Sequence, residues 1–155
     1  MIHGRVLVKK SIALAAAAFG AGFLVVAIPS VALAVTDSKV GTVSYFGPVN
    51  GVNYKDYNKI GTSTAARAGT FVGKDGTGTL PTQYMAVNAR LFKGTTLCKQ
   101  TGLVYNGVAA NSLYEETSSP SCGTGTYHSD GWSYQYYSTG TYNEHNTLVS
   151  PDLVL

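Results

Sequence analysis

Of the three histidines in this 155-residue chain, His3 sits in the first ten residues, so a histidine-dependent mechanism in the body of the protein would have to use His128 or His145. Ser129 and Asp130 follow His128, completing the residue types of an acyl-transfer triad. Neighbours on an extended strand point to opposite faces, however, and the Gly-x-Ser-x-Gly elbow that exposes a nucleophilic serine is absent. Glu144 and His145 could join His128 around a metal ion, but catalytic zinc needs three converging ligands and adjacent strand residues diverge. Glu115 and Glu116, taken with Glu144 or Asp152, offer carboxylates for glycoside hydrolysis, which requires two of them about 5 to 10 Å apart across a cleft. Their position in a Ser-rich stretch before Pro120 reads instead as a solvated acidic loop. No catalytic, cofactor-binding or metal-binding residues, and no cofactor, are expected.

Two other groups of side chains carry more information. Cys98 and Cys122 are the only cysteines, and their spacing lacks the Cys-x-x-Cys pattern of a redox pair. They are expected to form a structural disulfide, worth about 3.5 kcal/mol in the chain-entropy model for a loop of about 25 residues. Tyr127, Trp132, Tyr134, Tyr136, Tyr137 and Tyr142 are crowded into a short stretch. On a strand, Trp132, Tyr134 and Tyr136 share one face and Tyr137 takes the other. That face either packs into the core of a domain poor in Leu and Phe, or forms an exposed strip that stacks on sugar rings or anchors a protein.

Short strands are the elements that must position these groups. Turn signals recur from Val40 onward, at Gly47-Pro48, Asn50-Gly51, Lys74-Asp75-Gly76, Lys93-Gly94, Asn106-Gly107, Asp130-Gly131 and Thr139-Gly140. Between them, Gln83 to Phe92 alternates: Met85, Val87, Ala89 and Leu91 share one face, with Asn88 and Arg90 on the other. Asp130-Gly131, flanked by Thr124 to Ser129 and Trp132 to Ser138, is expected to be a two-residue hairpin turn. Only Thr62 to Ala68 could make a helical turn, too short to stand alone. The fold class expected is all-β: a small antiparallel β-sandwich or barrel of about seven or eight strands, after an N-terminal signal helix.

The signal itself occupies residues 1–34. Arg5, Lys9 and Lys10 form a basic start, Ser11 to Ile28 an apolar stretch, and Ala32-Leu33-Ala34 a small-residue cleavage site before Val35. The competing reading is an uncleaved anchor, since about 20 apolar residues span a bilayer. Either way, residues 35–155 are expected to form one secreted domain, extracellular and with cell-wall association open. The 11 basic and 8 acidic residues give the whole chain a net charge of +3, but three of the basic ones lie in the signal. The mature part is therefore neutral, which removes the electrostatic case for a nucleic-acid partner.

The stretches Ala89-Arg90-Leu91-Phe92-Lys93, Thr96-Leu97-Cys98-Lys99, Val104-Tyr105-Asn106 and Cys122-Gly123-Thr124-Gly125-Thr126-Tyr127 resemble those of small uncharacterised secreted proteins of Gram-positive bacteria. In layout, a signal followed by a Tyr- and Gly-rich β domain, the chain is also similar to exported bacteriocins of the lactococcin 972 type. The first resemblance implies no activity, and the second implies a secreted effector. The residues themselves point to a non-enzymatic binding domain at or beyond the cell envelope, with Trp132, Tyr134 and Tyr136 as the candidate surface and an extracellular protein or cell-wall glycan as partner. A bacteriocin-like effector and a small extracellular hydrolase are the alternative readings. If the signal is cut as read, protein secreted from a Gram-positive host will begin at Val35 on N-terminal sequencing, and Ala34→Leu will leave the uncleaved chain as the main product.

Overall fold

The structure, a computed structural model, describes residues 37–62, 65–118 and 122–155. The signal segment and the Ala34 to Val35 junction lie outside them. The described residues form strands and contain no helix. In chain order these are β1 (Asp37–Val40), β2 (Ser44–Val49), β3 (Val52–Thr62), β4 (Ala66–Lys74), β5 (Met85–Lys93), β6 (Thr96–Gln100), β7 (Val104–Tyr105), β8 (Ser112–Glu116), β9 (Thr126–Ser138), β10 (Thr141–Asn146) and β11 (Leu153–Val154).

Two antiparallel sheets pack in a sandwich. In the first, β1 and β2 lie in succession along one edge of β3, followed by β4 and β8. In the second, β10 and β11 share one edge of β9, β5 lies on its other side, and β6 and β7 share the far edge of β5. The number of strands exceeds seven or eight because three of the four outer rows are each broken into two short pieces. Short, interrupted edges are a common protection against edge-to-edge association.

Several turn signals act as read. Asn50 and Gly51 adopt φ values of 51° and 76°, the left-handed pair of a tight hairpin, and join β2 to β3. Lys93-Gly94 joins β5 to β6, and Thr139-Gly140 joins β9 to β10. Asp130-Gly131 does not turn. β9 runs straight through it, with Asp130 opposite Arg90 and Gly131 opposite Ala89 on β5. Glycine is needed there for closeness of approach: a Cβ at 131 would stand 2.0 Å from Thr70 Oγ1 and 2.8 Å from the Asn88 carbonyl oxygen.

Two further expectations are corrected. The helical turn over Thr62 to Ala68 gives way to strand pairing, because Ala66 opens β4 opposite Thr62 of β3; residues 63 and 64 lie outside the described set. Glu115 and Glu116 are not in a loop but end β8, opposite Thr70 and Gly69 of β4.

The inner faces of the two sheets carry two hydrophobic clusters. One contains Val49, Tyr54, Val72, Leu80, Met85 and Val87; the other Ile60, Ala66, Ala68, Leu91, Tyr127 and Leu153. The β5 alternation is therefore as read, with Met85, Val87, Ala89 and Leu91 fully buried. Polar residues form a second buried set: Asp56 and Asn58 of β3, Thr70 of β4, and Ser129, Ser133 and Gln135 of β9 have no exposed surface. The disulfide ties Cys98 of β6 to Cys122, just ahead of β9. Gly131→Ala should lose about 1 to 3 kcal/mol of stability through overpacking. In urea unfolding, Gly107→Ala, whose added Cβ meets nothing within 4 Å, should stay within about 0.5 kcal/mol of wild type.

Candidate functional site

Because Tyr127, Ser129, Gly131, Ser133 and Gln135 point inward, the alternate residues of β9 must line the outer face of the second sheet. There, His128, Asp130, Trp132 and Tyr134 of β9 pair in register with Phe92, Arg90, Asn88 and Ala86 of β5. The Tyr136 amide donates to the Tyr84 carbonyl at 2.9 Å, which extends the ladder by one rung. Trp132, Tyr134 and Tyr136 are thus brought together on a solvent-facing surface, each half-buried by its neighbours. Tyr137, on the other side of the strand, is exposed.

The rings on this face pack against one another in two groups. Phe92 stacks on His128 at 5.4 Å, and the Arg90 guanidinium lies 5.5 Å from the Phe92 ring and 4.8 Å from that of Trp132. Trp132 and Tyr134 follow at 6.4 Å; Tyr84 stacks on Tyr136 at 4.5 Å, and Tyr142 of β10 sits edge-on to both Tyr136 and Tyr105. Such offset and edge-on pairs hold the rings in fixed orientations. Arg90 Nη2 also donates to Asp130 Oδ2 at 2.9 Å, so its charge is cancelled beside the rings. Loss of hydration and the nearby Glu144 carboxylate push the Tyr134 phenol upward, and loss of hydration and neighbouring Tyr105 do the same to Tyr142. Both therefore remain hydroxyl donors at neutral pH.

A second constellation lies between the sheets and was not legible in the sequence. Asp56 Oδ2 accepts from Ser133 Oγ at 2.6 Å and stands 2.8 Å from His145 Nδ1. Gln135 Nε2 donates to Ser133 Oγ at 2.9 Å, and Asn143 Nδ2 donates to Gln135 Oε1 at 3.0 Å. The His145 ring lies flat on Phe46, 4.0 Å away. Beside this group, Asn58 Oδ1 accepts from Thr70 Oγ1 at 2.7 Å, and Asn58 Nδ2 donates to Thr147 Oγ1 at 2.5 Å. Asp56 and His145 are 89 positions apart, so only the sandwich brings them together.

Serine, aspartate and histidine meet here in the wrong order for acyl transfer. The carboxylate stands between hydroxyl and imidazole, whereas a triad places the imidazole against the hydroxyl. Ser133 is also fully buried. The geometry turns the Ser133 hydroxyl to the carboxylate and presents no exposed nucleophile.

The other sequence candidates are dispersed. His128 faces outward, 3.8 Å from Asp152, while His145 turns inward to Asp56, and Glu144 takes the opposite face of β10 from His145. Among the described residues no group of three His, Cys, Asp or Glu side chains could hold a metal ion. Glu115 and Glu116 lie on the first sheet, where the Tyr114 hydroxyl donates to Glu116. No family model, curated protein or solved structure is significantly similar to the chain.

Burial raises the Asp56 carboxyl above its ordinary value of 3.8, against the lowering effects of Ser133 and His145. A raised carboxylate favours folding while protonated; that contribution is complete below the unfolded value and is lost as pH rises through the folded one. Wild type should therefore lose stability relative to Asp56→Asn as pH is raised upward from 3.8. Urea midpoints of both proteins across pH 3 to 7, on the order of the carboxylate range, will show the difference.

Proposed function

We propose that the domain is a secreted or envelope-associated, non-enzymatic binding module, and that it binds through the outer face of β5 and β9. The observation that carries this reading is the row of rings from His128 and Phe92 to Tyr136 and Tyr84 on the solvent-facing side of a sheet whose other side is packed. Contiguous aromatic surface rimmed by polar groups is unusual on a protein that works alone, and Trp and Tyr supply most of the binding energy where such surfaces are used. The disulfide is compatible with the oxidising surroundings of an exported protein. Neutral charge outside the signal gives no reason to prefer a polyanion.

Pulldown of envelope proteins and glycans with the disulfide-bonded secreted protein tests this reading. Capture should be lost in Trp132→Ala and Tyr136→Ala when their urea midpoints show them folded, and kept in Tyr57→Ala, which alters the ring stacked on Phe71 in the first sheet. Equal capture by all three variants would move the binding surface elsewhere.

A further inference from the structure

The outer face of the first sheet carries a separate feature. The register sets Ser38, Gly61 and Arg67 in one row across β1, β3 and β4, and Lys59, Gly69 and Glu116 in the next row across β3, β4 and β8. The two glycines leave gaps of different kinds. A Cβ at 69 would stand 2.1 Å from the Tyr114 hydroxyl, so that side chain already fills the space above Gly69. A Cβ at 61 would meet only the Asp37 carbonyl oxygen at 3.7 Å and Ser38 Cβ at 4.0 Å. The space above Gly61 is a cavity of about 230 Å³, walled by Asp37, Ser38, Lys59, Arg67 and Glu116. Pockets for drug-sized ligands run from about 300 to 1,000 Å³, so this one takes a smaller molecule.

Charge is divided across the cavity. Lys59 and Arg67 bring cations, and Asp37 and Glu116 bring carboxylates. Lys59 and Glu116 stand two strands apart, about 9.6 Å at the backbone. Among the described residues no ion pair joins Lys59 to either carboxylate. Tyr114 donates to one oxygen of Glu116 and leaves the other open to a ligand. Burial, and then the bond to Glu116, push the Tyr114 phenol upward, so the hydroxyl keeps its proton and holds the carboxylate in place. Asp37 Oδ1 is held in turn by the Ser38 amide, which donates to it at 2.8 Å. Opposite charges kept apart on the walls of a cleft set up a field across it. A simple anion gains at Lys59 and loses at Glu116, and a cation meets the reverse; a molecule carrying both charges gains at both ends.

From this arrangement we infer that the cavity over Gly61 is a binding site for a small zwitterion, a molecule of amino-acid to dipeptide size with one ammonium and one carboxylate group. Its carboxylate lies against Lys59 and its ammonium against Glu116, with Gly61 as the floor. The site is on the opposite sheet from β5 and β9, so it stands or falls independently of the binding role proposed above.

Backbone amide shifts of the isotope-labelled secreted protein read the site directly. The protein is titrated with alanine, with alanylalanine, with N-acetylalanine, which keeps only the carboxylate, and with alanine amide, which keeps only the ammonium. Saturable shifts at Ser38 and Gly61 are expected with at least one of the two zwitterions, and binding at least about tenfold weaker with both singly charged probes. Lys59→Met and Gly61→Val should each weaken the zwitterion at least about tenfold, the second read at Ser38. Gly61→Val is compatible with the fold, because residue 61 has no left-handed φ, the added Cβ makes ordinary contacts and valine favours strands. Lys99→Met, which removes a lysine from β6 of the second sheet, should titrate like wild type. The inference is overturned if neither zwitterion gives saturable shifts at Ser38 and Gly61, or if a singly charged probe binds as tightly. It is overturned equally if Lys59→Met or Gly61→Val, shown folded by its urea midpoint, binds like wild type.

Discussion

The interior of this sandwich is organised around a polar contact. Asp56 and Asn58, two positions apart on β3, both project into the space between the sheets, where Asn58 is bonded through both ends of its amide and Asp56 through Oδ2. Asp56 takes Ser133 and His145 from the facing sheet; Asn58 joins Thr70 of its own sheet to Thr147 across the gap. Thr147 in turn donates to the Gly131 carbonyl at 2.6 Å, which closes the network on the strand it faces. Each bond contributes only about 0.5 to 1.5 kcal/mol net, but leaving a partner unmade costs more than making the bond returns. The network consequently selects one register for the two sheets more strongly than it stabilises them.

That choice of interior dictates the exterior. Side chains on a strand alternate, and once Ser129, Gly131, Ser133 and Gln135 occupy the inside of β9, Trp132, Tyr134 and Tyr136 have only the outside. The two hydrophobic clusters are built from Tyr127, Tyr54, Leu91 and aliphatic side chains of β2, β3, β4, β5 and β11, with Leu80 from the segment between β4 and β5. Trp132, Tyr134 and Tyr136 are not part of either. They gain their partial burial from one another and from Arg90, Tyr84 and Tyr142, so the strip is held by its own contacts. An outer surface of this kind can retain its shape without a ligand, which lowers the ordering cost of binding one.

The features legible in the sequence were those set by local chemistry. Asn50-Gly51, Lys93-Gly94 and Thr139-Gly140 turn because their backbone geometry favours a turn, and β5 shows its buried face because Met85, Val87, Ala89 and Leu91 keep a strict period of two. Asp130-Gly131 misled for a physical reason. Its glycine serves the neighbouring sheet, where Thr70 and Asn58 occupy the room of a side chain, and no local pattern distinguishes that use from a turn. Glu115 and Glu116 misled similarly, since pairing with β4 outweighs the low strand propensity of acidic residues. The Asp56 network was hidden because its members come from separate strands, and an inward Asp on β3 looks like any polar residue of an alternating strand. What remained readable was that Trp132, Tyr134 and Tyr136 share a face; which side of the sheet it occupies depends on partners far along the chain.

The polar interior also bears on why the disulfide sits where it does. A belt of hydrogen bonds between two modest apolar clusters leaves less hydrophobic stabilisation than a continuous core, and β9 supplies residues to both the belt and the outer strip. The Cys98 to Cys122 bridge anchors the chain immediately before β9 to β6, two strands away across β5. Lys93 reinforces the same junction by donating to the Cys122 carbonyl, and the Tyr127 hydroxyl donates to the Gly123 carbonyl close by. Restraining this entry reduces the freedom of the unfolded chain at the strand on which both faces depend. Oxidation therefore acts on the fold and on the proposed binding face together: what fixes β9 against Asp56 and Asn58 on one side also fixes the spacing of the rings on the other.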